Sequence, residues 1–343
     1  MRLDSFFNRC WYGTGWPSWA VAWGLSPFSL VFRILIFLRR LLYRQGLKHI
    51  TRLPVPVIVV GNLTVGGTGK TPFTLALITW LREAGYSPGI ISRGYGGRVD
   101  EIRPVHAQSD PLQVGDEPVL LARRGGCPVW VGRARTHVGA GLLAAHPEVD
   151  VLVADDGLQH YALARDLEIV LVDGARGFGN GWLLPSGPLR EPLARLQGVS
   201  AVVVNEAGGG GALPDVLAPV FAMTLRGERF YDVWNPARVV TASALHDQAL
   251  CALAGIGNPS RFFAHLRRLG LNFSECPLPD HHVFSEQDLP VGTLVMTEKD
   301  AVKCASLAAR QIAQDCWYLA VDAELGAGLK ELVLSSLRRI SSH

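Results

Sequence analysis

Lys70 and Thr71 close the stretch Val57-Ile58-Val59-Val60-Gly61-Asn62-Leu63-Thr64-Val65-Gly66-Gly67-Thr68-Gly69-Lys70-Thr71-Pro72. A β-branched apolar run gives way there to a glycine-rich turn and then to an apolar, helix-compatible segment, Phe73 to Leu81. In that setting glycines let successive backbone N–H groups turn inward around phosphate oxygens, and the following helix points its positive end at the same anion. The spacing therefore predicts a phosphate-binding loop over Thr64, Val65, Gly66, Gly67, Thr68, Gly69, Lys70 and Thr71. Lys70 is expected to reach the β- and γ-phosphates of a nucleoside triphosphate, and the Thr71 hydroxyl to ligate Mg²⁺. One position departs from the usual pattern, since Thr64 stands where the first glycine is expected.

A second group of acids completes this chemistry. Val151-Leu152-Val153-Ala154-Asp155-Asp156-Gly157-Leu158-Gln159-His160 is a buried-strand pattern ending in two adjacent carboxylates, which are costly without a cation. This is how phosphate-loop enzymes position their metal, and the roles of Asp155 and Asp156 stay undivided at this point. Val114-Gly115-Asp116-Glu117-Pro118 gives another acidic pair, either a helix N-terminus or a base, Asp116, that accepts a hydroxyl proton. Pro279-Asp280-His281-His282 adds imidazoles that are either structural or partners of such a base. Arg93, in Ser92-Arg93-Gly94-Tyr95-Gly96-Gly97, and Arg190, in Gly187-Pro188-Leu189-Arg190-Glu191-Pro192, lie in glycine- and proline-rich loops suited to clamping a substrate phosphate.

Elements that carry these residues are legible from periodicity. Short apolar strands (Val55–Val60, Pro88–Ser92, Pro128–Val131, Val149–Ala154, Leu167–Val172, Ala201–Val204) alternate with helical segments (Phe73–Ala84, Glu117–Arg123, Thr136–Ala145). This alternation predicts an α/β fold, a parallel sheet of phosphate-loop NTPase type with helices on both faces, whose ligands gather at the carboxyl ends of the strands. Gly208–Gly211 marks a candidate boundary. Beyond it, Val220–Leu225 and Tyr318–Val321 read as strands, and Ala249–Gly255, a helix near Ser260–Leu269 and Leu294–Thr297 suggest a smaller second α/β lobe. The expected division is 1–50 as an N-terminal membrane-docking segment, 51–215 as the kinase core, 216–325 as the second lobe with linker strands, and 326–343 as a C-terminal helix able to return to the core. Residues 98–112 have a loop-like composition.

The 343 residues are 48% hydrophobic and 18% charged, too apolar for disorder, and a net charge of +3 gives no reason to expect nucleic acid. The charge is unevenly placed. From Ser5 to Arg82 there is no acid but nine Arg or Lys. Cys10 to Phe32 is uncharged, yet Gly13, Gly15, Pro17, Gly24 and Pro27 interrupt it, and a helix is expected only from Pro27 to about Arg44. On that helix Leu30, Ile34, Phe37, Leu38 and Leu41 share a face, Arg33, Arg39, Arg40 and Arg44 flank or oppose it, and Trp11, Trp16, Trp19 and Trp23 precede it. Tryptophan with a basic amphipathic helix suits an interfacial anchor, and each basic residue near an anionic leaflet contributes roughly 1 kcal/mol. A helix packed on its own domain and a cleaved targeting segment are the competing readings. The six cysteines, at 10, 127, 251, 276, 304 and 316, have no C-x-x-C spacing, which suits reduced thiols in a cytosolic compartment.

Taken together, the phosphate loop, Ser92-Arg93-Gly94-Tyr95-Gly96-Gly97, Val114-Gly115-Asp116-Glu117-Pro118, Asp155-Asp156-Gly157-Leu158-Gln159-His160, Leu189-Arg190-Glu191-Pro192, Gly255-Ile256-Gly257-Asn258-Pro259 and Asp280-His281 resemble one family. It is the tetraacyldisaccharide 4′-kinases of lipid A synthesis in Gram-negative bacteria. The Asp-Asp-Gly-x-Gln-His block with this loop is the specific part, and Thr64 matches the family's own loop. The resemblance implies a two-lobed kinase that uses ATP and Mg²⁺ to phosphorylate the 4′-hydroxyl of a lipid A disaccharide 1-phosphate. It implies peripheral attachment to the cytoplasmic face of the inner membrane, with no nucleic acid and no obligate protein partner. It also implies a base dyad of Asp116 and His281, with Lys70 and Asp156 as catalytic groups. Thr71, Asp155 and Glu117 would lie at the metal, with Arg93, Gln159, His160, Arg190 and Glu191 as active-site neighbours. The runner-up is a nucleotide switch, either a membrane-associated partitioning-type ATPase or a GTPase metallochaperone. Against it, Val65 stands where the first carries a signature lysine, and Thr297-Glu298-Lys299-Asp300 puts its lysine one place late for guanine recognition.

Overall fold

The computed structural model describes residues 3–13, 15–205, 213–280, 282–285, 288–290, 292–305 and 315–341. The glycine run 208–211 and His281 lie outside them. Buried β-branched runs form β1 (Val57–Gly61), β2 (Pro88–Ser92), β4 (Val129–Val131), β5 (Val151–Asp155), β6 (Leu167–Asp173) and β7 (Ala201–Asn205), joined by β8 (Val220–Arg226). All of these pair in parallel, in the order β8-β7-β6-β1-β5-β2-β4. Two antiparallel strands close the edges, β3 (Arg103–Val105) beside β4 and β15 (Asp322–Leu325) beside β8. β3 lies in the stretch expected to be loop. A three-residue edge strand containing Pro104 leaves no alternating pattern to find.

Helices cover both faces, as the near-continuous apolar strands require. On one face α3 (Lys70–Glu83), α5 (Asp116–Arg124) and α9 (Ala327–Ser341) share an apolar cluster that includes Phe73, Leu77, Val119, Leu121, Leu329, Val333 and Leu337. Leu329, Val333 and Leu337 recur every four residues on α9 and are fully buried, each contributing about 1.5–3 kcal/mol. The other face is covered by α6 (Arg135–Ala145) and by long connections carrying Leu158, Leu163, Phe178 and Leu189.

A second sheet of six strands has the order β10-β9-β14-β13-β11-β12. Its strands are β9 (Arg229–Asp232), β10 (Val239–Thr241), β11 (Leu250–Ala254), β12 (Phe273–Pro277), β13 (Thr293–Thr297) and β14 (Cys316–Leu319). Clusters around Phe263 and Leu266 of α7 (Pro259–Arg268) and around Ala301 and Cys304 of α8 (Glu298–Cys304) pack with it. The chain enters this unit after β8 and leaves it at β15, so the two crossings run side by side as paired strands.

At the N-terminus, α1 (Leu3–Tyr12) leads into α2, which runs unbroken from Trp16 to Arg44. The expected start at Pro27 is therefore wrong. Proline removes only the N–H that would reach the carbonyl of Trp23, and the Ser26 hydroxyl donates to that oxygen instead, at 2.7 Å. Pro17, in the first turn, costs no hydrogen bond. α2 buries Ala22 and Ser29 and packs Phe32 and Ile36 on the body. Its other face leaves Trp16, Trp23, Phe28, Leu30, Leu35 and Phe37 exposed.

Candidate active site

The carboxyl ends of the central parallel strands bring the candidate residues together. Val60 pairs with Asp155, so the turn after β1 and the acids ending β5 begin side by side. Gly66 and Gly69 both adopt positive φ, 103° and 92°, which turns the backbone into a loop before α3 begins at Lys70. Thr64 needs no such freedom, because it forms an antiparallel bridge to Leu189, and Val65 N donates to Pro188 O at 2.9 Å. That extended pairing explains why a threonine is tolerated where a first glycine was expected.

Asn62 ties the loop together. Lys70 Nζ donates to Asn62 Oδ1 at 3.2 Å, Asn62 Nδ2 to Gly66 O at 3.3 Å, and Gln159 Nε2 to Asn62 O at 3.3 Å. Lys70 Nζ also lies 3.5 Å from Asp156 Oδ1. Asp156 adopts a left-handed backbone, with φ 47°, and Arg190 Nη1 donates to its two carboxylate oxygens at 3.2 and 3.0 Å. Burial works against the charge on Asp156, but Lys70 and Arg190 outweigh it and hold the carboxyl below its ordinary range. Asp155 behaves oppositely. Its burial, with the charge of Glu117 close by, pushes its pKa up to about 7 even though Lys70 pulls the other way. Their environments thus push two neighbouring carboxylates in opposite directions.

Asp155, the Thr71 hydroxyl at the start of α3 and Glu117 are hard oxygen donors. A buried acid whose pKa is raised in this way is stabilised as the anion by a cation. Among the described residues no three His, Cys, Asp or Glu side chains are arranged to chelate a metal alone. Mg²⁺ is commonly held by one or two carboxylates together with a ligand's phosphates.

Asp116 opens α5 and is buried, its Oδ1 accepting from Glu117 N at 2.8 Å. Across from it stand side chains of the second unit. Lys299 Nζ lies 3.0 Å from Glu117 Oε1, 3.9 Å from Asp116 Oδ2 and 3.3 Å from Asp280 Oδ1, and Lys303 Nζ lies 3.9 Å from Asp116 Oδ2. The loop after β11 reaches the phosphate loop itself. A Cβ on Gly257 would meet Gly67 N at 2.9 Å, and Arg176 Nη1 donates to Gly257 O at 3.3 Å. Arg261 of α7 hydrogen-bonds Asn205, whose amide donates to Thr68 O at 3.1 Å. The two units are therefore closed over the loop.

With this arrangement in view, comparison with known proteins is decisive. The family model for Tetraacyldisaccharide-1-P 4′-kinase matches residues 21–338. The chain belongs to that family. A tetraacyldisaccharide 4′-kinase of Dechloromonas aromatica is 53% identical over 320 residues, covering 92% of each chain. One from Methylobacillus flagellatus is 48% identical over 342 residues, covering 98% of this chain and 97% of its own. The crystal structure of "apo" form LpxK from Aquifex aeolicus in complex with ATP superposes with a TM-score of 0.78 at 29% identity, covering 92% of this chain and 99% of that one. The expected family and fold both hold.

The remaining candidates spread around the family's loop and acids. Arg93 is exposed directly after β2. His160 is crowded: burial first, then Arg135, Arg165, Arg39 and Arg93, lower its pKa to about 4, so the imidazole is neutral at pH 7. Glu191 is buried and turns to the Tyr161 hydroxyl and towards Arg195, as a wall residue. His281 lies outside the described residues. Its neighbour His282 faces Asp288, 3.3 Å away. Sequence reasoning missed Asn62, Arg135 and Lys299. Arg135 is buried and donates to the carbonyls of Asp155 and Asp156 at 2.9 and 2.7 Å, fixing the turn that aims both acids. Asn62, inside the quoted loop, was the one with a local signal.

Proposed function

We propose that this chain is an ATP-dependent kinase that phosphorylates the 4′-hydroxyl of a tetraacyldisaccharide 1-phosphate at the cytoplasmic face of the inner membrane. The observation that carries the reading is the meeting of three groups at one end of the larger sheet: the Lys70 loop, the Asp155–Asp156 turn, and Asp116 opposite the second lobe. The loop backbone and Lys70 bind and orient the triphosphate. Thr71, Asp155 and Glu117 would hold Mg²⁺, which supplies charge neutralisation on the phosphates when bound. Asp116, with His281, takes the proton as the acceptor oxygen forms its bond to the γ-phosphorus; the bond to the β,γ-bridging oxygen breaks and ADP leaves. Arg190 keeps Asp156 ionised beside Lys70. The second lobe, lying on Gly67 through Gly257, excludes water that would otherwise accept the phosphoryl group.

Membrane attachment belongs to the same reading. α2 is the one helix among the described residues long and apolar enough to cross a bilayer, and its apolar side is uncovered. Arg39 Nη2 of this helix donates to Gln159 O at 3.1 Å, so the same element reaches the acidic turn. A lipid acceptor lying in the leaflet would meet the site without leaving it.

The test is to incubate the protein with γ-labelled ATP, Mg²⁺ and a panel of acceptors. Label in tetraacyldisaccharide 1-phosphate supports the proposal. Label in inorganic phosphate alone, whatever acceptor is present, would overturn it in favour of a nucleotide switch.

A further inference from the structure

Lys299 has no role in the transfer described above, yet it joins the two units at the candidate base. Its ammonium, on a side chain only 15% exposed, is shared among Glu117 and Asp116 on α5 and Asp280, the residue before His281 in sequence. Three carboxylates around one largely buried ammonium offset the cost of removing its charge from water. The helix that carries it is docked at several points. Val302 of α8 belongs to the apolar cluster of the larger sheet, and Arg124 of α5 donates to Glu298 at 2.9 Å. Lys303, one turn further on, is bound to Asp300 at 2.8 Å and lies 3.9 Å from Asp116. It is thus already engaged within its own helix. Without Lys299, three acids from the two units would face one another, and like charges in a low-dielectric boundary repel.

We propose that Lys299 is a positioning residue for phosphoryl transfer: reaching from the second lobe, it gathers Glu117, Asp116 and Asp280 so that base and loop meet in one arrangement when the lobes are shut. The proposal rests on the phosphotransfer reading and deepens it. It assigns Lys299 to the acceptor side and leaves nucleotide binding to the Lys70 loop.

The test uses the full chain in mixed micelles with tetraacyldisaccharide 1-phosphate and γ-labelled ATP. Lys299→Met is expected to lower kcat by about 100-fold, with the KM for ATP within about threefold of wild type. Lys299→Arg, which keeps the charge, should recover most of the loss. Asp280→Asn should lower kcat in the same direction, and the double variant should be no worse than the poorer single variant, because Lys299→Met already breaks the contact to Asp280. Wild-type kcat in Lys299→Met, a loss confined to the KM for ATP, or additive effects in the double variant would overturn the proposal. If Lys299→Met does not fold, by circular dichroism and melting, Lys299→Arg and Asp280→Asn decide. Asp280→Asn must then be impaired with the Arg variant active; wild-type turnover in Asp280→Asn rejects the role. A wild-type chain that labels no glycolipid would instead overturn the phosphotransfer reading itself.

Discussion

At the residue scale, the site divides its labour by making similar groups behave differently. Lys70→Ala should lower transfer by about 10²–10³-fold with an unchanged circular dichroism spectrum, because it removes one preorganised cation from the phosphates. Retained transfer would refute the loop assignment. Asp116→Asn should lower kcat by about 10²–10⁴-fold, as loss of a general base does, while ATP affinity measured by calorimetry changes little. His160 gives a pH-dependent prediction. Its folded pKa of about 4 lies below the ordinary histidine value, so between the two the unfolded chain binds more protons than the native one. The native state thus loses stability as pH falls from about 6.5 towards 4. Melting curves of wild type and His160→Gln should converge over that window, with an imidazole titration midpoint near 4 by NMR. A midpoint near 6.5 would mean that the four arginines do not crowd the ring. Asp155 and Asp156 were legible because they end the strand that aims them, and Lys70 and Thr71 because a glycine-rich loop leads straight into the helix they open. Lys299 was not. Its tetrapeptide looked like a misplaced guanine motif, whereas the Thr297 side chain caps α8 by accepting from Asp300 N and the lysine finds its partners on α5, far away in sequence.

At the element scale, sequence periodicity located the central strands to within one or two residues, because buried parallel strands must be continuous apolar runs. It failed where a tertiary or side-chain contact replaced a local rule. α2 is the plainest instance: Ser26 takes over the carbonyl that Pro27 abandons, and the helix gains nearly three turns over the expected one. The consequence is a single long rod whose uncovered side carries the tryptophans as well as the leucines. Removing residues 1–45 should therefore move the protein from the membrane to the soluble fraction on ultracentrifugation. Continued sedimentation with membranes would place the anchor elsewhere. Intrinsic tryptophan emission of the full chain should shift to the blue on adding anionic vesicles, and the shift should weaken with salt as the basic residues are screened.

At the scale of the whole molecule, the two units meet over the phosphate loop, where Gly257 leaves no room for a Cβ against Gly67. Gly257→Ala should wedge the units apart and raise the ratio of ATP hydrolysed to glycolipid phosphorylated, by about tenfold if closure contributes about 1.4 kcal/mol to excluding water. Equal ratios in mutant and wild type would show that closure does not guard the phosphate. This contact was invisible in the sequence, where the Gly-Ile-Gly-Asn-Pro segment and the phosphate loop are separate motifs. The hydrogen bond from Arg39 to the Gln159 carbonyl has a different reach. It joins the apolar rod to the acidic turn, so a chain attached to the membrane as proposed would work in two dimensions. Its velocity should follow the mole fraction of acceptor among the surrounding amphiphiles, falling when inert detergent is added at constant bulk acceptor and recovering when the surface is re-enriched.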